Sequence, residues 1–289
     1  MSIDLLARLS SLEGASSEAR VEALLGLVSE VDASAIAGTD EASALAAALL
    51  AVVEEGGGSG RERLLLGELL GHLGDPRLRS PGDADYWVKV GSELGDVVVG
   101  RFPVTNAEYK AWVDGGGYDD AAAWSDEGKA WLDTCDDPWP VQAAKDTSGP
   151  YIVPNQPVVG ITYFEAQAYA RAHGARLLQN DERVWVVRGE ERRPYPWGSP
   201  FGEGHANTRE EVLERPCAVG LFLGDRTPDG VCDLAGNVAE WIADDVGDLR
   251  LIHPGSWDQP SMAAWAKAKE LNPPTSRWAG LGFRLAKDA

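Results

Sequence analysis

The stretch Asp229-Gly-Val-Cys-Asp-Leu-Ala-Gly-Asn-Val-Ala-Glu-Trp241 constrains this chain more than any other. A Pro-Asp-Gly turn at 228–230 leads into a short apolar run. Gly236-Asn237 then offers a tight backbone bend, because both residues tolerate conformations that other side chains avoid. The run closes on Glu240-Trp241. Such a bend exposes carbonyls between two acids, Asp233 and Glu240, and Ca²⁺ takes about six to eight oxygens, backbone carbonyls included. The competing reading is a hairpin corner with a buried tryptophan and two solvated acids.

Composition narrows the partners. Forty-six acids against 26 bases give a net charge of −20, a surface that repels phosphate backbones, so nucleic acid is not an expected partner. Cys135, Cys217 and Cys232 lie far apart and form no C-x-x-C pair. That pattern fits a reducing cytoplasm with thiols buried as small hydrophobes, the alternative being a single disulfide. No apolar run reaches about 18 residues and no basic segment precedes an apolar core at the start, so neither a membrane span nor a signal peptide is expected. Eleven Trp among 33 Gly and 17 Pro suggest aromatic anchors pinning turn-rich segments.

In chain order, residues 1–80 read as a helical region and 81–289 as a larger domain. Leu5, Leu6, Leu9 and Leu12, then Val21, Leu24, Leu25 and Val28, recur at helical spacing. Ala42–Val53 and Arg61–Leu73 are further helices, separated by a glycine-rich connection at 56–60. The run Leu-Gly-Glu-Leu-Leu-Gly-His-Leu-Gly-Asp-Pro faintly resembles one helix of a HEAT-type repeat, but a lone repeat cannot bury its face. A small bundle used for packing or docking is expected. Beyond it, 86–90 and 97–99 read as a hairpin. Thr105-Asn-Ala-Glu108 and Thr162-Tyr-Phe-Glu165 are capping boxes that start two helices, and Asn180 caps a third. The long loop 118–154, with Trp124, Trp131 and Trp139, is expected to be functional or braced by aromatics.

Seven segments in order resemble the formylglycine-generating-enzyme (sulfatase-modifying factor) family. They are Phe102-Pro-Val-Thr-Asn-Ala-Glu-Tyr109, Gln156-Pro-Val-Val-Gly-Ile-Thr-Tyr163 with Glu165-Ala166, Tyr195-Pro-Trp-Gly198, Ala206-Asn-Thr208, the 229–241 stretch, Gly255-Ser-Trp257 and Gly280-Leu-Gly-Phe-Arg-Leu285. The resemblance implies an α+β chain: a helical N-terminal region followed by an elaborated C-type-lectin-like domain. It places one Ca²⁺ on the Asp233 carboxylate, the Gly236 and Val238 carbonyls and the Glu240 carboxylate. A second would start at Asn207 and the Thr208 carbonyl, with Glu211 or Glu214 as its only acidic candidates.

The catalytic members of that family hold copper on two cysteines after Gly-Ser-Trp, and soft thiolates suit Cu(I). The matching positions are Gln259 and Ala264, so no copper and no formylglycine-generating activity are expected. Family members that act as sulfoxide synthases in ergothioneine-type pathways use histidine-bound iron. Here only His72, His173, His205 and His253 occur, without the spacing of that site. A third branch, the variable proteins of diversity-generating retroelements, binds ligands with the segment between Gly-Ser-Trp and Gly-Phe-Arg. By that likeness Trp257, Asp258, Gln259, Trp265, Arg277 and Trp278 form a binding surface for a protein, favouring a basic one because the chain is acidic. The expectation is a non-enzymatic binding or regulatory module of a bacterial signalling, defence or retroelement system. The alternative is a metal-dependent oxidoreductase with a rebuilt site, which would gather the cysteines with a histidine.

Overall fold

The computed structural model describes residues 5–91, 95–135 and 150–288. Trp139 and much of the 118–154 loop lie outside them. The chain starts with five helices, α1 (Leu5–Ser10), α2 (Ser17–Val28), α3 (Ala33–Ile36), α4 (Asp40–Glu55) and α5 (Gly60–Leu73). Leu24, Leu27, Leu45, Leu49, Val52, Leu66 and Leu70 meet in their shared core, each almost without solvent contact. Glycine stops α4: Gly56 takes a left-handed φ of 69° and its N–H caps the carbonyls of Val52 and Val53. Ser59 and Glu62 then cap α5 reciprocally.

Two four-stranded sheets follow. The first runs in the order β1-β2-β8-β3, from β1 (Trp87–Val90), β2 (Val97–Gly100), β3 (Arg176–Leu177) and β8 (Leu285–Asp288). The second runs β6-β5-β4-β7, from β4 (Ala239–Val246), β5 (Leu249–His253), β6 (Glu270–Asn272) and β7 (Leu281–Phe283). All pairs are antiparallel except β4 with β7, which run parallel with Glu240 opposite Gly282. Gly282 leaves room there, since a Cβ would meet the Val158 carbonyl at 2.6 Å.

Helices α6 (Asn106–Asp114), α7 (Asp126–Leu132), α8 (Tyr163–Ala172) and α9 (Asn180–Arg188) surround the sheets. The boxes at Thr105 and Thr162 cap α6 and α8 with both reciprocal bonds present. The cap of α9 is Gln179, one residue before the expected Asn180. Tyr109, Trp112, Trp124, Phe164, Tyr169, Trp241 and Phe283 fill the main core. Trp131 stacks on Trp124 and Phe164, with ring centres 5.9 Å from each, which braces the described part of the long loop.

The helical region is seated on the remainder through α5. Glu68 pairs with Arg215 at 2.8 Å, and Asn155 donates to the Gly67 carbonyl and to Asp75. Val53 and Leu64 share a buried cluster with Leu213, Cys217, Ala218, Leu221 and Phe222. Gly67 faces Ala218 so closely that an added Cβ would lie 3.0 Å from it.

Candidate functional site

The bend at 233–237 is built by a third acid that the sequence reading passed over. Asp225 accepts the backbone N–H groups of Leu234, Ala235 and Gly236 at 2.9 Å. Its carboxylate thereby gathers the donors of a loop whose two ends, Asp233 and Asn237, sit at φ of 56° and 69°. Asn237 closes the loop from below: its Oδ1 accepts from Cys217 N at 2.9 Å, and its Nδ2 donates to the Cys217 carbonyl. Gly236 packs on Asn207, whose carbonyl would stand 2.5 Å from a Cβ there. Trp241 anchors the exit, its Nε1 donating to Ile161 O at 2.8 Å.

Glu240 lies at the centre of a buried ion network. One oxygen accepts from Arg284 Nε at 2.8 Å and the other from Arg183 Nε at 3.2 Å, with all three side chains at most 3% exposed. Arg284 also donates to the carbonyls of Gly100, Arg101, Cys232 and Asp233. Arg183 donates to Leu234 O. The two guanidinium groups thus bind together α9, the bend and β4.

These contacts decide how the carried-over metal ligands are used. Each Glu240 oxygen is held by an arginine, Asp233 Oδ2 accepts from Gly220 N at 2.7 Å, and the Gly236 carbonyl accepts from Val238 N at 2.9 Å. The donor set Asp233, Gly236, Val238 and Glu240 therefore does not fit a calcium ion: fixed positive charge already neutralises Glu240. At the second position, Asn207 Nδ2 donates to Arg215 O, the Thr208 carbonyl accepts from Glu211 N, and Asn207 Oδ1 alone is buried without a partner. Among the described residues no three His, Cys, Asp or Glu side chains are grouped so as to hold a metal ion.

Burial shifts Asp225, Asp233 and His253 among the groups at the bend. Burial, reinforced by neighbouring Asp233, pushes Asp225 up to about 7, against the pull of its backbone donors. Burial pushes Asp233 up to about 6, with Gly220 N and Arg284 opposing. His253, paired with Glu240 across β4 and β5, is held well below the usual histidine range by burial and by Arg183, and its Nε2 has no partner.

The segment 258–279 departs from expectation at its far end. Arg277 turns inward, 3.3 Å from the buried Glu165 carboxylate and over the Trp131 ring at 5.1 Å. Trp278 packs against the main core. Both are half-buried rather than open side chains: Glu165 takes its capping bonds from Thr162 and a bond from Tyr118, and Arg277 supplies its counter-charge. Trp257 donates to Ala279 O, and Asp258 accepts from Ser256 while its carbonyl takes Arg209. The Gln259 backbone is bonded to Ser256 and Arg209, and Ala264 is buried against Ala206 and Ala235. The large apolar side chains of the segment that face solvent are Met262 at 76%, Trp265 at 44% and Leu271 at 44%, with Lys267, Lys269 and Glu270 exposed beside them.

The three thiols stand apart. Cys217 is buried against Asn237, Cys135 lies 3.8 Å from Arg277, and Cys232 borders a cleft with Arg77, Arg101 and Arg226. All three are free.

Residues 89–289 match the family described as "Sulfatase-modifying factor enzyme 1-like domain". The chain belongs to the formylglycine-generating-enzyme family. Among curated proteins, the hercynine oxygenase of Mycolicibacterium thermoresistibile is 31% identical over 227 residues, covering 66% of this chain and 50% of that protein. The formylglycine-generating enzyme of Streptomyces coelicolor is 29% identical over 171 residues, covering 47% of this chain and 54% of that protein. The chain thus spans about half the length of these curated relatives. Among solved structures, PvdO from Pseudomonas aeruginosa gives a TM-score of 0.49 at 24% identity, covering 67% of this chain and 81% of that one. No helix among the described residues is long and apolar enough to cross a membrane.

Proposed function

We propose that this family member is a binding module which presents the 258–271 face to a protein partner and carries out no oxygen chemistry at the family's copper position. The observation that carries the reading is the solvent-facing set Met262, Trp265 and Leu271, held on a segment clamped by scaffold contacts at both ends. Exposed apolar side chains on a fixed segment gain from desolvation on contact, the physical requirement of a recognition surface. Position 264 supports the same reading: a buried alanine there offers no ligand to a soft metal. The excess of acid favours a basic partner and the bacterial cytoplasm is the setting we assign.

The test pairs binding with turnover. The double substitution Met262→Ala with Trp265→Ala should weaken capture of the native-host partner by at least about 2 kcal/mol, the size of a hot-spot loss, with melting unchanged within a few degrees. Purified protein given Cu(I), oxygen and a Cys-x-Pro-x-Arg peptide should form no aldehyde. The match to hercynine oxygenase favours a second reading, an oxidoreductase with a rebuilt metal centre. Multiple turnovers of hercynine with iron(II), oxygen and a thiol would establish that reading and overturn the first.

A further inference from the structure

A chain with a net charge of −20 gathers four arginines around one cleft. Arg77 and Arg79 come from the connector after α5, Arg101 follows β2, and Arg226 lies on the turn ahead of the bend. The cleft holds about 450 Å³, within the range of small-molecule sites. Arg77 is fixed: Asp75 takes its Nε at 3.0 Å and its Nη2 at 2.6 Å, and the guanidinium stands 5.9 Å from the Phe102 ring centre. Arg79, Arg101 and Arg226 form no ion pair among the described residues, although acids outnumber bases along the chain.

A narrow recess adjoins the cleft. There the walls shared with Arg77 and Arg101 reach Tyr86 and Glu108. Tyr86 is 6% exposed, and its hydroxyl lies beside Glu108. Glu108 uses Oε2 for the Thr105 cap and faces the Tyr86 hydroxyl with the rest of its carboxyl. The Tyr86 hydroxyl and the Glu108 carboxyl face each other and form the polar inner wall beneath Arg77 and Arg101. Burial pushes Glu108 up to about 7, which lessens the negative charge at this wall near neutrality. Cys232 forms a neutral wall, its thiol pushed up to about 11 by burial. The carboxylates of Glu54 and Asp85 stand at the lining too, both on exposed residues where water screens them.

We propose that this cleft binds a small organic phosphate, its phosphate group held by Arg101, Arg226 and Arg77 and its organic part against Phe102. Guanidinium forks match phosphate oxygens two at a time; Arg101 and Arg226 carry no ion pair among the described residues, while Arg77, its Nε and Nη2 on Asp75, adds positive charge. A polymeric phosphate is disfavoured by the surrounding acids, whereas a small one needs only the cleft. The proposal shares no residue with the 258–271 face and stands whether or not that face binds a partner.

Calorimetric titration of the full chain with ADP, pyrophosphate, inorganic phosphate and citrate tests it. The expected result is saturable binding of ADP or pyrophosphate, with a rise in melting temperature through linkage to the folded state. Inorganic phosphate should bind more weakly and citrate at least about tenfold more weakly. Arg101→Ala with Arg226→Ala should weaken binding at least about tenfold, the cost of losing a charge-assisted bond, and leave melting of the unliganded chain unchanged within a few degrees. Should that double variant unfold, the single variants Arg101→Gln and Arg226→Gln carry the same expectation. No binding of any phosphate at millimolar concentration, unchanged binding in the variants, or equal binding of citrate would each overturn the proposal.

Discussion

Glu240 bridges two guanidinium groups that have no access to water, and its removal leaves both charges buried. Glu240→Ala should therefore cost about 3–5 kcal/mol, read as a lower midpoint in urea. Arg284→Lys should fail to preserve stability, because an ammonium cannot span a carboxylate and the carbonyls of Gly100 and Cys232 at once. Arg277→Ala belongs to the same class: it strands Glu165, so the expected effect is lost stability rather than lost binding alone. Nearby, Asp225 and Asp233 hold their protons more tightly folded than unfolded, up to about 7 and about 6 against 3.8. The folded state then binds more protons across that interval. Their contribution is largest below the unfolded value and is lost as pH rises through 6 to 7. Melting should fall between pH 5 and pH 8, and Asp233→Asn should flatten the slope; a melting temperature that climbs over this range would refute the assignment. Asp75, held below the usual carboxylate range by Arg77 and Asn155 despite its burial, acts only at lower pH.

At the scale of elements, what depends on neighbours in sequence was legible and what depends on distant partners was not. The boxes at Thr105 and Thr162 announce α6 and α8 because hydroxyl and glutamate meet within one turn. The corner at Gly236-Asn237 was equally readable from its residue types. The parallel pairing of β4 with β7 was not, since nothing local in Ala239–Trp241 specifies Leu281–Phe283. Nor was the pairing of Glu240 with Arg183 and Arg284, which lie 57 and 44 positions away in sequence. The arginine in Gly-Phe-Arg beside Glu240 was the available signal. The pairing of Arg277 with Glu165 was hidden for a related reason, as Glu165 looked fully used by its capping box. Gly236→Ala tests the corner itself. Its Cβ meets backbone rather than a movable side chain, so a loss above about 2 kcal/mol is expected in chemical unfolding.

Over the whole molecule, the fitted contacts leave calcium little to do. Melting with calcium and with chelator should agree within about one degree; a drop of several degrees on chelation would restore a stabilising cation. The helical bundle and the sheets should also melt as one unit, because α5 is embedded in both the Leu66 and the Phe222 clusters. Two resolved calorimetric transitions would contradict that. The bond from Glu68 to Arg215 spans 147 positions, which has a meaning for the chain as it is made. During synthesis α5 leaves the ribosome long before Leu213, Ala218, Leu221 and Phe222 exist to cover Leu64. The nascent bundle must wait with that side uncovered, in the interval when exposed apolar surface invites association with other chains. Slow translation of the middle of the message would lengthen the wait, and a chaperone that shields α5 would shorten its danger.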